Sequence, residues 1–327
     1  MFWKRKDQGF TIFFCSDIHG STVCFKKFLN AAKYYRGKGQ RVDALILGGD
    51  ITGKLIVPII KEGEAYRSYL FGRPLTLSSR AEVADLVRKA EALGAYSYIF
   101  EPDEYQAFKD SPEKQNALFR QLMLRRLEEW MQLAMDKMKD GSIPCYISPG
   151  NDDIDEVTAL LQACPVITCP DQQVVQLGDD YEMISLGYAN LTPFGCPRDV
   201  PEEELARRID ELAARIKDVP NCVFNLHCPP FGARIDEAPL LDAELRPQIG
   251  MTGVEMAAAG CQAVRSAIEK YQPLLGLHGH IHESKGATKL GRTLCVNPGS
   301  EYSEGILRGV LVTLGKREVL THMFTSG

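Results

Sequence analysis

The residue types able to do chemistry in this 327-residue chain converge: five of its six histidines stand where an apolar run stops, next to aspartate, asparagine or glycine. The runs end in Ser16-Asp17-Ile18-His19-Gly20, Gly48-Gly49-Asp50, Pro149-Gly150-Asn151-Asp152-Asp153, His227-Cys228-Pro229-Pro230 and His278-Gly279-His280-Ile281-His282. From these, Asp17, His19, Asp50, Asn151, His227, His280 and His282 offer carboxylate, imidazole and amide oxygen. That mixed shell suits Mn, Fe, Zn or Ni, with Mn preferred, over thiolate-seeking metals or oxygen-bound calcium. Seven donors are too many for one tetrahedral ion and fit two ions sharing a bridging carboxylate. Such a pair, about 3.5–4 Å apart, can clamp a phosphoryl group and generate hydroxide near neutral pH. Gly48 and Gly49 clear space around Asp50, which argues against Asp50 being a mere turn residue.

Other residues near these ends read differently. His278 is expected in the core or behind the site rather than among the ligands. Asp153 is expected to orient a neighbour through hydrogen bonds rather than to ligate. Tyr188, Asn190 and Arg198 lie in a stretch that either faces the site or is a solvated loop. Cys15 and Cys228 are read as packing residues, and Asn297 and Ser300 as turn residues.

The elements that must position these groups are short, and most are apolar. Thr11–Cys15, Val42–Leu47, Pro144–Ile147, Cys222–Leu226, Pro273–Leu277 and Thr293–Val296 read as buried strands. Helical patterns at Thr22–Arg36, Pro201–Lys217 and Gly260–Tyr271 alternate with them, which implies an α/β architecture. Hairpins are expected at Val174–Leu177 with Glu182–Leu186, and at Gly309–Leu314 with Glu318–Phe324. Ligands in α/β sheets bind beyond the carboxyl ends of strands, where five of these runs deliver donors. Between the second and third strands a stretch from Gly53 to Gly141 predicts a hairpin (Leu55–Ile60, Ala65–Phe71) and helices at Ser79–Leu93 and Pro112–Lys139. It is too long for an unstructured loop and is read as a folded cap inserted in a single 1–327 domain. Leu124, Leu127, Met131, Met135 and Met138 recur along the long helix at helical spacing and are read as core filler.

In order along the chain, Asp-x-His, Gly-Gly-Asp, Gly-Asn-x-Asp, a lone His and Gly-His-x-His resemble the motifs of the calcineurin-like metallophosphoesterase family, and Asn297-Pro298-Gly299-Ser300 resembles the family's next strand end. The resemblance covers nearly the whole chain except the 53–141 stretch. It implies a four-layer α-β-β-α sandwich of two mixed sheets. It also implies that Asp17, His19 and His282 hold one metal, that Asn151, His227 and His280 hold the other, and that Asp50 bridges them. The implied reaction is hydrolysis of a phosphodiester or phosphomonoester by a metal-bridging hydroxide. One position departs: the family usually carries His after the Asn of the third motif, where this chain has Asp152. A proton shared between Asp152 and Asp153 would raise one carboxyl pKa enough for it to act as an acid.

Composition narrows the alternatives. A net charge of −5 and no basic stripe disfavour nucleic acid, though a short oligonucleotide remains compatible. No apolar run reaches the ~18 residues of a membrane helix. The cluster Lys4-Arg5-Lys6 is followed by an apolar stretch too short for a signal peptide. Ten cysteines without CxxC or CxxH spacing argue against a thiolate zinc site and fit reduced thiols in the cytoplasm. The expected partner is a small phosphoester, with the cap as a surface for self-association. Two other readings are a metal-containing scaffold that binds through the cap, and a nuclease.

Overall fold

A computed structural model describes residues 9–70, 72–251 and 253–327, so the Lys4-Arg5-Lys6 cluster and Phe71 lie outside the described residues. The chain opens with β1 (Phe10–Cys15), α1 (Thr22–Gly37) and β2 (Ala44–Leu47). Next come β3 (Ile56–Glu62), β4 (Ala65–Leu70), β5 (Arg73–Leu77), α2 (Arg80–Ala92), β6 (Tyr96–Phe100), α3 (Pro102–Lys109) and α4 (Pro112–Met138). β7 (Cys145–Ile147), α5 (Asp155–Ala163), β8 (Gln173–Leu177), β9 (Tyr181–Leu186), α6 (Glu202–Ala213) and β10 (Cys222–Leu226) follow. The remainder holds α7 (Gln262–Tyr271), β11 (Leu275–Leu277), β12 (Gly286–Leu290), β13 (Thr293–Asn297), β14 (Arg308–Gly315) and β15 (Glu318–Ser326).

This is a mixed α/β structure with two large sheets. The first runs β15-β14-β1-β2-β7, with β1, β2 and β7 parallel and β14 and β15 antiparallel. The second runs β12-β13-β11-β10-β9-β8, with a parallel centre and an antiparallel strand at each edge. Alternation sorts their side chains. Ile12, Phe14 and Ile46 of the first sheet meet Met183, Val223 and Leu277 of the second in one apolar cluster. On the first sheet's other face, Phe13, Cys15, Leu45 and Leu47 pack with residues of α1, α4 and α5. On the second sheet's other face, Phe224 and Leu226 pack with α6 and α7. Strands buried on both faces explain why the sequence showed continuous apolar runs rather than alternation.

The 53–141 stretch holds more structure than a hairpin and two helices. It forms its own sheet, β5-β4-β3-β6, with α3 added before α4. Pro74 disguised β5, because proline inside a run argues against a strand. β6 was hidden because it pairs in parallel with β3 across α2, so no turn announces it. Met131 and Met138 of α4 are buried with Leu127 in the core. α6 stops at Ala213, short of the expected Lys217. Among the described residues, no helix is long and apolar enough to cross a membrane.

Candidate metal centre

The carboxyl ends of β1, β2 and β7 in one sheet and β10 and β11 in the other meet at one place. Besides a grouping of His19, Asp50 and Asp152 that overlaps both, two sets there could each hold a metal ion: Asp17, His19 and His282, and Asp50, His227 and His280, with the donor atoms of each group within 4.8 Å of one another. Asp50 stands between them, its Oδ1 3.2 Å from His227 Nε2 and its Oδ2 3.7 Å from His19 Nε2. Asn151 Oδ1 lies 2.9 Å from His280 Nδ1, beside the second set. All seven expected ligands are thus brought together. Asp17, His19, Asp50, Asn151 and His227 are almost wholly buried.

The backbone holds these residues in unusual conformations. Asp17, His19, Asp50 and His280 have φ of +57°, +37°, +48° and +66°, the left-handed region that non-glycine residues rarely adopt. Strain of this kind persists only where the surroundings enforce it. At Gly49 (φ +128°) a Cβ would run into the His227 ring.

Surrounding residues aim the donors. The carbonyl of Gly48, 3.0 Å from His227 Nδ1, accepts its proton and leaves Nε2 facing the site. Asn151 Nδ2 donates to Asp199 Oδ1 (2.8 Å), which turns the amide oxygen inward. Asp199 Oδ2 also accepts from the Thr192 backbone, the Thr192 hydroxyl and the Cys196 backbone. Sequence reasoning missed Asp199, a single carboxylate in a loop with no motif around it. Asn297 forms the expected turn through Gly299, and its amide also donates to the Gly279 and Ile281 carbonyls that flank His280. The Ser300 hydroxyl donates to the Asp17 carbonyl. His278 lies behind the cluster, with Nδ1 2.8 Å from the Leu226 carbonyl.

The shared proton expected of Asp152 and Asp153 has no geometric basis. Both oxygens of Asp153 are occupied by donors from Ile51, Thr52 and Gly150, which tie the loop after β2 to the loop after β7. Burial, and then the Asp50 charge, push the Asp153 carboxyl up to about 6. Asp152 instead forms an ion pair with Lys54. Lys54 was also missed: it lies four residues beyond Asp50 in a loop without a recognised motif.

Lys54, Asp152, Asp50, Asn151, His280 and His282 form the polar floor of a cleft of about 990 Å³. One wall is the 190–197 loop, including Asn190; the other is the 238–247 stretch, which no sequence signal marked. Among the described residues of the 53–141 stretch, only Lys54 reaches the cleft. Tyr188 and Arg198 lie apart from it: Arg198 is buried, paired with Asp171 at 2.5 Å, and stacked over the Tyr188 ring.

The electrostatics fit cation binding. Asp17 and Asp50 are each 2% exposed. Burial opposes charge on both, yet neighbouring imidazoles outweigh it and hold both carboxyls low, Asp17 at about 2. His227 shows the reverse balance: burial opposes its charge, but Asp50 and Asp17 raise it to about 9. Buried anions require compensating positive charge. His19 Nδ1 and His227 Nε2 are buried without an aligned hydrogen-bond partner, and His19 Nε2 and His282 Nε2 face each other at 3.0 Å. Orphaned imidazole nitrogens around buried carboxylates are a donor set suited to divalent metal.

No family model matches this chain. Over 152 residues the chain is 28% identical to the uncharacterized protein MJ1162 of Methanocaldococcus jannaschii, and the match covers 46% of this chain and 61% of that protein. The chain therefore spans about three-fifths of the length of the curated relative it matches. One crystal structure aligns over 98% of both chains at TM-score 0.54 and 15% identity. The crystal structure of TT1561 from Thermus thermophilus aligns over 98% of both chains at TM-score 0.50 and 15% identity. These two likenesses concern the fold alone.

Proposed function

We propose that the protein is a metal-dependent phosphoesterase of the calcineurin-like kind, with the four-layer α-β-β-α sandwich in one domain and the 53–141 stretch as an insertion within it. The observation that carries this reading is Asp50, whose two oxygens face one histidine from each Asp/His set. In this reading Asp17, His19 and His282 would hold one divalent ion, Asn151, His227 and His280 would hold the other, and Asp50 would serve both. Two divalent ions so bound supply positive charge for a transferring phosphoryl group and acidify water near neutral pH. The chain's own residues do the rest. Gly48 and Asp199 fix the donors, and Asp153 locks the two loops together. Lys54 extends a cation over the floor of the cleft, paired with Asp152, the residue that stands where the family usually carries histidine. Its ammonium stabilises negative charge on the phosphoryl oxygens or the leaving group.

Elemental analysis of the purified protein, followed by assay of 4-nitrophenyl phosphate and bis(4-nitrophenyl) phosphate with added Mn²⁺, tests the reading. The expected result is up to two metal equivalents and turnover that Asp50→Asn abolishes. Absence of bound metal after addition, or metal-loaded protein inert on both esters, would sink it.

A further inference from the structure

The cleft is much larger than a phosphate, and its walls are unlike its floor. A volume of about 990 Å³ lies at the upper end of ligand pockets. Leu191, Pro193 and Phe194 line one wall, and Leu240, Leu241 and Leu245 the other. Leu191 and Phe194 are each 65% exposed and Leu245 is 46% exposed, so the structure leaves this apolar surface in water. Leu245 is held at φ +60°, which bulky side chains avoid. Asp242 builds the turn that displays it, accepting from the Glu244 and Arg246 backbones.

Several polar groups on the walls are already committed. The Asn190 amide oxygen accepts from the Cys228 thiol, the Thr192 hydroxyl donates to Asp199, and one Asp242 oxygen is used within its own turn. Reading a base or a sugar requires free donors and acceptors, and these groups supply few. Stacking a base calls for aromatic faces, and the walls hold one phenylalanine among leucine, proline and alanine, with Asn190, Thr192, Cys196, Asp242 and Glu283 as their polar members. An apolar channel that ends on a cationic and metal-binding floor complements an amphiphile, with the phosphoester on the floor and the hydrocarbon between the walls.

We infer that the substrates are phosphoesters carrying an aliphatic chain of several carbons, seated between the 190–197 loop and the 238–247 stretch. This deepens the phosphoesterase reading and rests on it.

Isothermal titration of the metal-supplemented full chain with ethyl, butyl, hexyl and octyl phosphate, below their critical micelle concentrations, tests the inference alongside hydrolysis of methyl and octyl 4-nitrophenyl phosphate. The expected result is affinity tightening by up to about fourfold per methylene, in line with burial of each CH₂, together with a negative heat-capacity change. KM falls in parallel for the octyl ester. Phe194→Ser and Leu245→Ser, both at exposed positions, flatten the chain-length dependence, whereas Leu320→Ser on the distant β15 keeps it. Ethyl and octyl phosphate binding alike, or adenosine monophosphate matching octyl phosphate, overturns the inference while turnover of the aryl esters leaves the phosphoesterase reading standing. If no phosphate binds and no ester turns over, both fall together.

Discussion

At Lys54 the chain places a cation beside the candidate metal centre, paired with the carboxylate that occupies the family's histidine position. Histidine and lysine differ there in kind: an ammonium remains charged across the neutral range and acts by electrostatics rather than by giving up its proton. Lys54→Met is expected to lower kcat/KM on phosphodiesters about a hundredfold, the scale on which one preorganised donor is lost. Metal stoichiometry should be unchanged, because Lys54 is not a donor to metal. Steady-state kinetics with parallel elemental analysis checks this, and a variant of wild-type efficiency would remove Lys54 from the chemistry. Asp199 acts through Asn151 and also fastens the loop that walls the cleft. Asp199→Ala should therefore weaken metal binding about tenfold to a hundredfold, as losses behind a ligand typically do. Competition with a fluorescent chelator measures it. The same change should also raise KM for the octyl ester, because the Thr192 and Cys196 contacts go with it.

Among the elements, the turn between α2 and β6 has the strongest hold on the site. Gly94 (φ +78°) lies against the loop after β1, where a Cβ would collide with the His19 carbonyl. The Gly53 backbone donates to the Tyr96 hydroxyl, and the Arg126 guanidinium of α4 donates to the Gly20 carbonyl. The 53–141 stretch thus braces the His19 loop from behind rather than capping the cleft. Gly94→Ala combines a left-handed backbone with a backbone collision, so destabilisation of about 2–4 kcal/mol is expected. Urea denaturation measures that loss, and weakened metal affinity should accompany it. A neutral outcome would show that the brace yields. The sequence made the donors legible because chemistry fixes their types and because each ends a run buried on both faces. It hid the brace and the cleft walls for physical reasons. Tyr96 and Arg126 meet the site only through tertiary packing, and the 238–247 stretch is a turn-rich surface segment whose leucines have no period. The stretch read from sequence as a cap contributes, among its described residues, only Lys54 to the cleft.

For the whole molecule, the centre links metal, protons and stability. Without metal, His227 holds a proton up to about pH 9 because Asp50 and Asp17 surround it. An unfolded histidine releases its proton near 6.5. That raised value stabilises the metal-free fold fully below about pH 6.5, and the contribution is lost as pH rises through 9. Metal requires the same imidazole unprotonated, so binding displaces the proton and strengthens as pH rises. The two trends add. The gain in melting temperature on adding Mn²⁺ should be small at pH 6 and increase steadily to pH 9. At a hundred times the dissociation constant the gain in stability is about 2.7 kcal/mol, or roughly 4 °C for a chain of this size. Scanning fluorimetry across that range, with chelator and with metal, reads the difference directly, and Asp50→Asn should show almost none of it. Titration calorimetry in buffers of different ionisation enthalpy should register proton release at pH 7. A melting gain that stays flat from pH 6 to 9 would mean that the proton on His227 and the metal do not compete for one site, and the assignment of His227 as a donor would have to be withdrawn.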